Sequence, residues 1–202
     1  MRPGYAGRPD ENGAAGRSPS LIPMTTFVAL LRSVNVAGHG RMAMPELKEI
    51  FLTLGYDDVS TYIQTGNVIF RTSSRSAAKL GTEIEQHLES TFGTTPKVIL
   101  RTVPELTRTV ATSPYPSRGA DPGRHHVTFL AAAPSKERLA AFHPPDSGRD
   151  ELAIIGREVY VHTPDGYANT KLTGTYLERH LGVSSTTRNW NTVTKLCALA
   201  GG

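Results

Sequence analysis

The stretch TRNWNTVTKL, Thr187 to Leu196, surrounds the only tryptophan of the chain with two bases, two amides and three hydroxyls. Arg188 closes a run of strand-forming residues, and the residues after it open a helix whose first main-chain N–H groups lack internal partners and favour an anion. A phosphate or carboxylate there would meet Arg188, Asn189, Asn191 and Thr192, with Trp190 free to stack on a flat group. The competing reading is architectural: Asn189 or Asn191 caps the helix, Trp190 packs in the core, and Arg188 pairs with a carboxylate.

Three further places gather polar groups. Asn169-Thr170-Lys171 follows the turn Pro164-Asp165-Gly166 and reads as another helix start, with Lys171 in its first turn and capping as the alternative. The loop Arg32 to Arg41 joins the first strand to the first helix, so Arg32, Asn35, His39 and Arg41 could line one pocket. Gln64 and Asn67 flank a Thr65-Gly66 turn, where amides commonly satisfy turn backbone instead.

Other chemistries lack residues. His125 and His126 are adjacent on a strand and point to opposite faces, the remaining histidines have no ligand spacing, and the single cysteine precludes a cysteine cluster. Cys197 lies on a helical stripe with Val193, Leu196 and Ala200, as a core residue does. No phosphate-binding loop, dinucleotide glycine fingerprint or serine elbow occurs, so no metal or cofactor is implied and no catalytic residue can be assigned. An enzyme of unassigned reaction stays open as an alternative.

The elements that must position these residues follow from periodicity. Met1 to Pro23 is rich in Gly, Pro and Arg and poor in large apolar residues, which predicts a disordered extension. Phe27 to Leu31 reads as a strand buried on both faces. A helix follows from Pro45 to Gly55, then a tight hairpin of Val59–Gln64 and Asn67–Arg71, a helix over 77–91 and a strand over 97–100. After a helix over 104–111 and the connector 112–124, the order recurs: strand 126–131, helix 135–142, strands 152–155 and 158–162, helix 169–181, strand 185–188 and a closing helix. Strand-helix-strand-strand-helix-strand is the ferredoxin-like split βαβ unit. The expected class is α+β, with one such half over 24–111 and a second over 125–202, although no residue-level repeat is visible between them.

The segments FVALLRSVNVAGHGRMAMPELKEIFLTLGYDDV, TYIQTGNVIF and TTRNWNTVTKL resemble the bacterial domain of unknown function 1697 family. The likeness rests on Arg32, Asn35 and Val36 in the first loop, on Gln64, Gly66 and Asn67 in the hairpin turn, and on the run Arg188 to Thr192. It implies an α+β ferredoxin-like architecture and no particular activity. Ala37 stands where that family carries glycine, and Thr65 where it carries serine.

A net charge of +4 suits an anionic partner, and from Lys171 onward Lys171, Arg179, Arg188 and Lys195 face only Glu178. A small phosphorylated or carboxylate ligand, nucleotide-like in kind, is the partner these residues favour. A nucleic-acid partner for the basic C-terminal quarter is the weaker alternative, because the strand in TGNVIF puts Asn67 and Ile69 where RNA-binding sheets place stacking aromatics. No apolar run reaches the roughly 20 residues of a membrane span, so a soluble cytoplasmic protein is expected. Oligomeric state is not legible.

Overall fold

The computed structural model describes residues 23–32, 42–119 and 121–202. The first half runs β1 (Thr25–Leu31), α1 (Met44–Thr53), β2 (Asp57–Thr61), β3 (Asn67–Thr72), α2 (Ala77–Phe92) and β4 (Val98–Thr102), followed by α3 (Val103–Thr112). The second runs β5 (His125–Leu130), α4 (Lys136–Ala140), β6 (Glu151–Ile155), β7 (Glu158–His162), α5 (Gly174–Leu181) and β8 (Ser185–Asn189), followed by α6 (Trp190–Ala200). Two antiparallel four-stranded sheets result, ordered β2-β3-β1-β4 and β6-β7-β5-β8. The fold is α+β with two ferredoxin-like halves, the same strand order arising twice.

β1 is buried on both faces because it lies between two cores. Phe27, Ala29 and Leu31 face α1 and α2, while Val28 and Leu30 face a shared interior with Leu106 of α3, Val193 and Leu196 of α6, and Val127 and Phe129 of β5. That interior, with Trp190, Tyr115 and Tyr160, joins the halves. A third cluster, with Leu130, Val159, Val161, Leu177 and Leu181, lies under α5. Side-chain caps set the helix starts: Ser76 on Lys79 N for α2, a reciprocal Thr102–Glu105 box for α3, and Thr173 on Tyr176 N for α5.

Three expectations change. The helix expected over 169–181 begins only at Gly174, because Thr170 Oγ1 accepts the Leu172 N–H and donates to Asp150 Oδ2, holding the chain extended past a 3-10 turn at Tyr167–Asn169. Lys171 is therefore outside the helix. The helix expected over 135–142 is confined to Lys136–Ala140, with His143-Pro144-Pro145 following. β2 ends at Thr61 rather than Gln64, and Ile63 adopts a positive φ of 50°. The connection to β3 is thus longer than a tight hairpin. The expected disorder of 1–23 falls almost wholly outside the described residues. Among those described, no helix is long and apolar enough to cross a membrane.

Candidate functional site

The strand-to-helix turn divides its residues between interior and surface. Asn189 is the N-cap of α6, accepting the Asn191 N–H at 3.0 Å while its Nδ2 donates to Gly123 O. Trp190 points inward, 7% exposed, with its ring stacked 4.3 Å from that of His125. Asn191 is exposed and Thr192 half-buried on the outer turn. Lys171 donates to Asp146 O. The turn is an anchored joint, and Trp190 is spent on the core.

Arg188 also turns inward. Its side chain reaches from β8 into the first half: Nε donates to Asn67 Oδ1 at 2.6 Å, Nη2 to Leu31 O at 2.8 Å and Thr65 O at 3.1 Å, and Nη1 to Thr186 Oγ1 and Thr187 O. Asn67 completes the joint, its Nδ2 donating to Tyr62 O and Thr65 Oγ1. The carboxylate partner envisaged from sequence is replaced by carbonyls and an amide. Burial pulls the guanidinium pKa down to about 10, because a charge removed from water is disfavoured.

An equivalent arginine stands in the other half. Arg101, opposite Val28 on β1 as Arg188 is opposite Val127 on β5, donates through Nη2 to Leu130 O and Arg157 O, and through Nε to Glu158 Oε1 at 2.8 Å. Leu31 and Leu130 correspond: their N–H groups donate to Gly66 O and Arg157 O respectively. Glu85 Oε1 accepts the Val98 N–H, and Glu178 Oε1 accepts the Ser185 N–H. The two halves therefore exchange arginines reciprocally, a residue-level repeat that sequence reading did not detect. One difference matters: Arg101 has the carboxylate of Glu158, whereas Arg188 has the neutral amide of Asn67 in the matching place.

Above each arginine lies a cleft of about 380 Å³ between the last strand of its half and the start of the preceding helix. In the first half the strand lines it with Val98, Ile99 and Leu100, and Ala131 closes one side. In the second half the corresponding residues are Ser185, Thr186, Thr187 and Arg32. Thr65, Thr173 and Thr175 add hydroxyls. Gly174 lets α5 approach, since a Cβ there would lie 3.1 Å from Thr187 Oγ1. Thr128 and Thr187 form a non-hydrogen-bonded pair in the register of β5 and β8, so the Thr187 N–H points to the open sheet edge, the side from which Glu178 caps Ser185. Arg32 pairs with Glu178 at 2.7 Å. Two cations thus stand against one carboxylate.

Of the residues singled out in the sequence, Arg32 and Arg188 line this cleft, and Asn67 braces it from behind. Gln64 is exposed on the connection to β3. Asn189, Trp190, Asn191, Thr192 and Lys171 are not among its lining residues. Asn35, His39 and Arg41 lie outside the described residues. Thr173, Thr175, Ser185 and Thr187 were missed, and the runs TKLTGTY and SSTTRN are their only trace in sequence. Among the described residues, no three His, Cys, Asp or Glu side chains are grouped to hold a metal ion.

A solved structure described as a conserved bacterial protein, SP0830 from Streptococcus pneumoniae, is similar in fold, with a TM-score of 0.69 at 21% identity over 88% of this chain and 99% of that one. No curated protein matches the chain. Residues 24–160 match the family model described as Protein of unknown function (DUF1697), and the chain belongs to that family.

Proposed function

We propose that the protein binds a small anionic ligand, a phosphate ester or carboxylate, in the cleft between β8 and the first turn of α5. The observation that carries this reading is the buried charge of Arg188, which forms no ion pair with any described carboxylate, while its counterpart Arg101 has Glu158. Residues 33–41, which follow Arg32, contain no acid either. An anion in the cleft would supply the missing counter-charge without displacing any of Arg188's hydrogen bonds. Direct contact falls to Arg32, to the hydroxyls of Thr65, Thr175 and Thr187, and to the first amides of α5, at the positive end of its dipole. The repeat acts as an internal control, because the corresponding cleft keeps its shape with aliphatic residues where this one has hydroxyls. Of the four cations in the basic C-terminal quarter, Arg188 is interior and Lys171 donates to Asp146 O.

The test is calorimetric titration of inorganic phosphate and of succinate at low salt. Saturable binding of one of them is expected, weakened at least tenfold by Arg32→Ala with little change in melting temperature. Absence of saturable binding, or unchanged affinity in Arg32→Ala, refutes the proposal.

A further inference from the structure

We infer that the ligand of this cleft is a phosphate ester bearing a flat ring, a nucleoside monophosphate in chemical class, with Tyr167 as the platform for the ring. This rests on the anion reading above and adds a second contact to it. Tyr167 is the one aromatic among the residues lining the cleft, and the corresponding cleft of the first half has none among its lining residues. The aromatic ring, Arg32 and the strand hydroxyls of Ser185, Thr186 and Thr187 are therefore confined to one copy, the other having Ala131, Val98, Ile99 and Leu100 at the matching positions.

The ring is held in place. His126 packs 4.2 Å from it at an interplanar angle of 31°. Burial keeps His126 neutral by drawing its pKa down to about 4, so it backs the ring as an uncharged surface. The 3-10 turn Tyr167–Asn169 is fastened by Asn169 N to Gly166 O, Thr170 N to Tyr167 O and Asn169 Nδ2 to Asp165 O. Gly166 enters it at φ 100°, and a Cβ there would lie 2.8 Å from Arg124 Nη1. A half-buried tyrosine backed on one side offers the cleft a fixed π-surface, and base-on-aromatic stacking tolerates any base.

The alternatives use the site incompletely. Inorganic phosphate leaves the ring idle, and a neutral sugar leaves the charge of Arg188 unanswered. The volume of about 380 Å³ lies at the lower end of the usual range for small-ligand pockets, in keeping with a single nucleotide.

The experiment compares inorganic phosphate, ribose 5-phosphate and adenosine 5′-monophosphate by calorimetry on the full chain and on Tyr167→Leu and Tyr167→Trp. Adenosine monophosphate is expected to bind about tenfold more tightly than ribose 5-phosphate. Tyr167→Leu should erase that preference while leaving phosphate affinity intact, and Tyr167→Trp should retain it. Equal affinity of the two esters in the unmodified protein overturns the ring contact and leaves the anion reading standing. A preference surviving in folded Tyr167→Leu overturns the role of Tyr167. Failure of all three probes to bind overturns both readings.

Discussion

Replacing Arg188 by methionine removes the charge and fork but keeps an apolar stem of similar length. Leu31 O, Asn67 Oδ1 and Thr186 Oγ1 lie in the interior, accept at 2.8, 2.6 and 2.7 Å, and would each lose a donor that water cannot readily replace. Thr65 O is nearer solvent and counts for less. An unsatisfied buried acceptor costs about 1–3 kcal/mol, so the three together cost about 3–9 kcal/mol. Against this stands relief of the desolvated charge, which in other buried ion systems can cancel much of the loss. Relief is partial here because two of the bereft groups, a main-chain carbonyl and a neighbouring amide, remain polar after the substitution. The expected net loss is about 3 kcal/mol, or roughly 6–12 °C in melting temperature for a chain of this size. Urea unfolding followed by far-ultraviolet circular dichroism measures it, and Arg188→Lys should recover less than half, since one ammonium cannot reproduce a planar fork. A loss below about 1 kcal/mol for Arg188→Met would show that the cation is too costly to act as the joint and would refute the reasoning.

Arg101→Met should destabilise at least as much, because it also strands Glu158, whose side chain is only 16% exposed; comparison of the two urea midpoints checks this. Gly81→Ala and Gly174→Ala form a matched pair. The first meets only Val98 O at 3.6 Å and should stabilise α2 by about 0.5–1 kcal/mol, whereas the second crowds Thr187 Oγ1 and should lower phosphate affinity several-fold while changing stability by less than about 1 kcal/mol. Stability should also fall on acidification. His125 is drawn from 6.5 to about 4 by burial, then by the neighbouring His126 and His162, so its neutral form is favoured in the fold. Its contribution is complete above pH 6.5, and is lost as pH falls from there to about 4 because the unfolded chain takes the proton first. At 1.36 kcal/mol per pKa unit the loss from His125 is of order 3 kcal/mol; urea midpoints at pH 7, 5.5 and 4 report it, and His125→Phe should reduce the slope while leaving the share of His126, whose pKa burial also draws down to about 4.

The parts of this structure legible in the sequence are those decided by near neighbours. The double-faced burial of β1 shows in an unbroken run of apolar residues, and the glycine stop after α1, Gly55, is observed at φ 77°. The order of elements in the two halves follows from such local signals. The start of α5 was misplaced because a side chain outbid the helix: Thr170 hydrogen-bonds across to Asp150, 20 residues away, and periodicity carries no sign of that.

The site was illegible for a related reason. Arg188 finds Leu31 O across 157 positions of chain, and a main-chain carbonyl leaves no mark on residue identity, so an arginine at a strand end looks the same whether it serves a ligand or a joint. The repeat is hidden likewise, since it is preserved in acceptors such as Leu31 O and Leu130 O while the side chains around them diverged. That divergence bears on function more than the shared features do. Both arginines lock one half to the other, so locking alone does not require Asn67 where the first joint has Glu158, or Ser185 and Thr187 where it has Val98 and Leu100. A copy kept only for architecture would have no use for an uncompensated cation beneath a hydroxyl-lined cleft. Both halves bear a cost in buried charge, which the first offsets with Glu158, and a bound anion is the component that would offset it in the second.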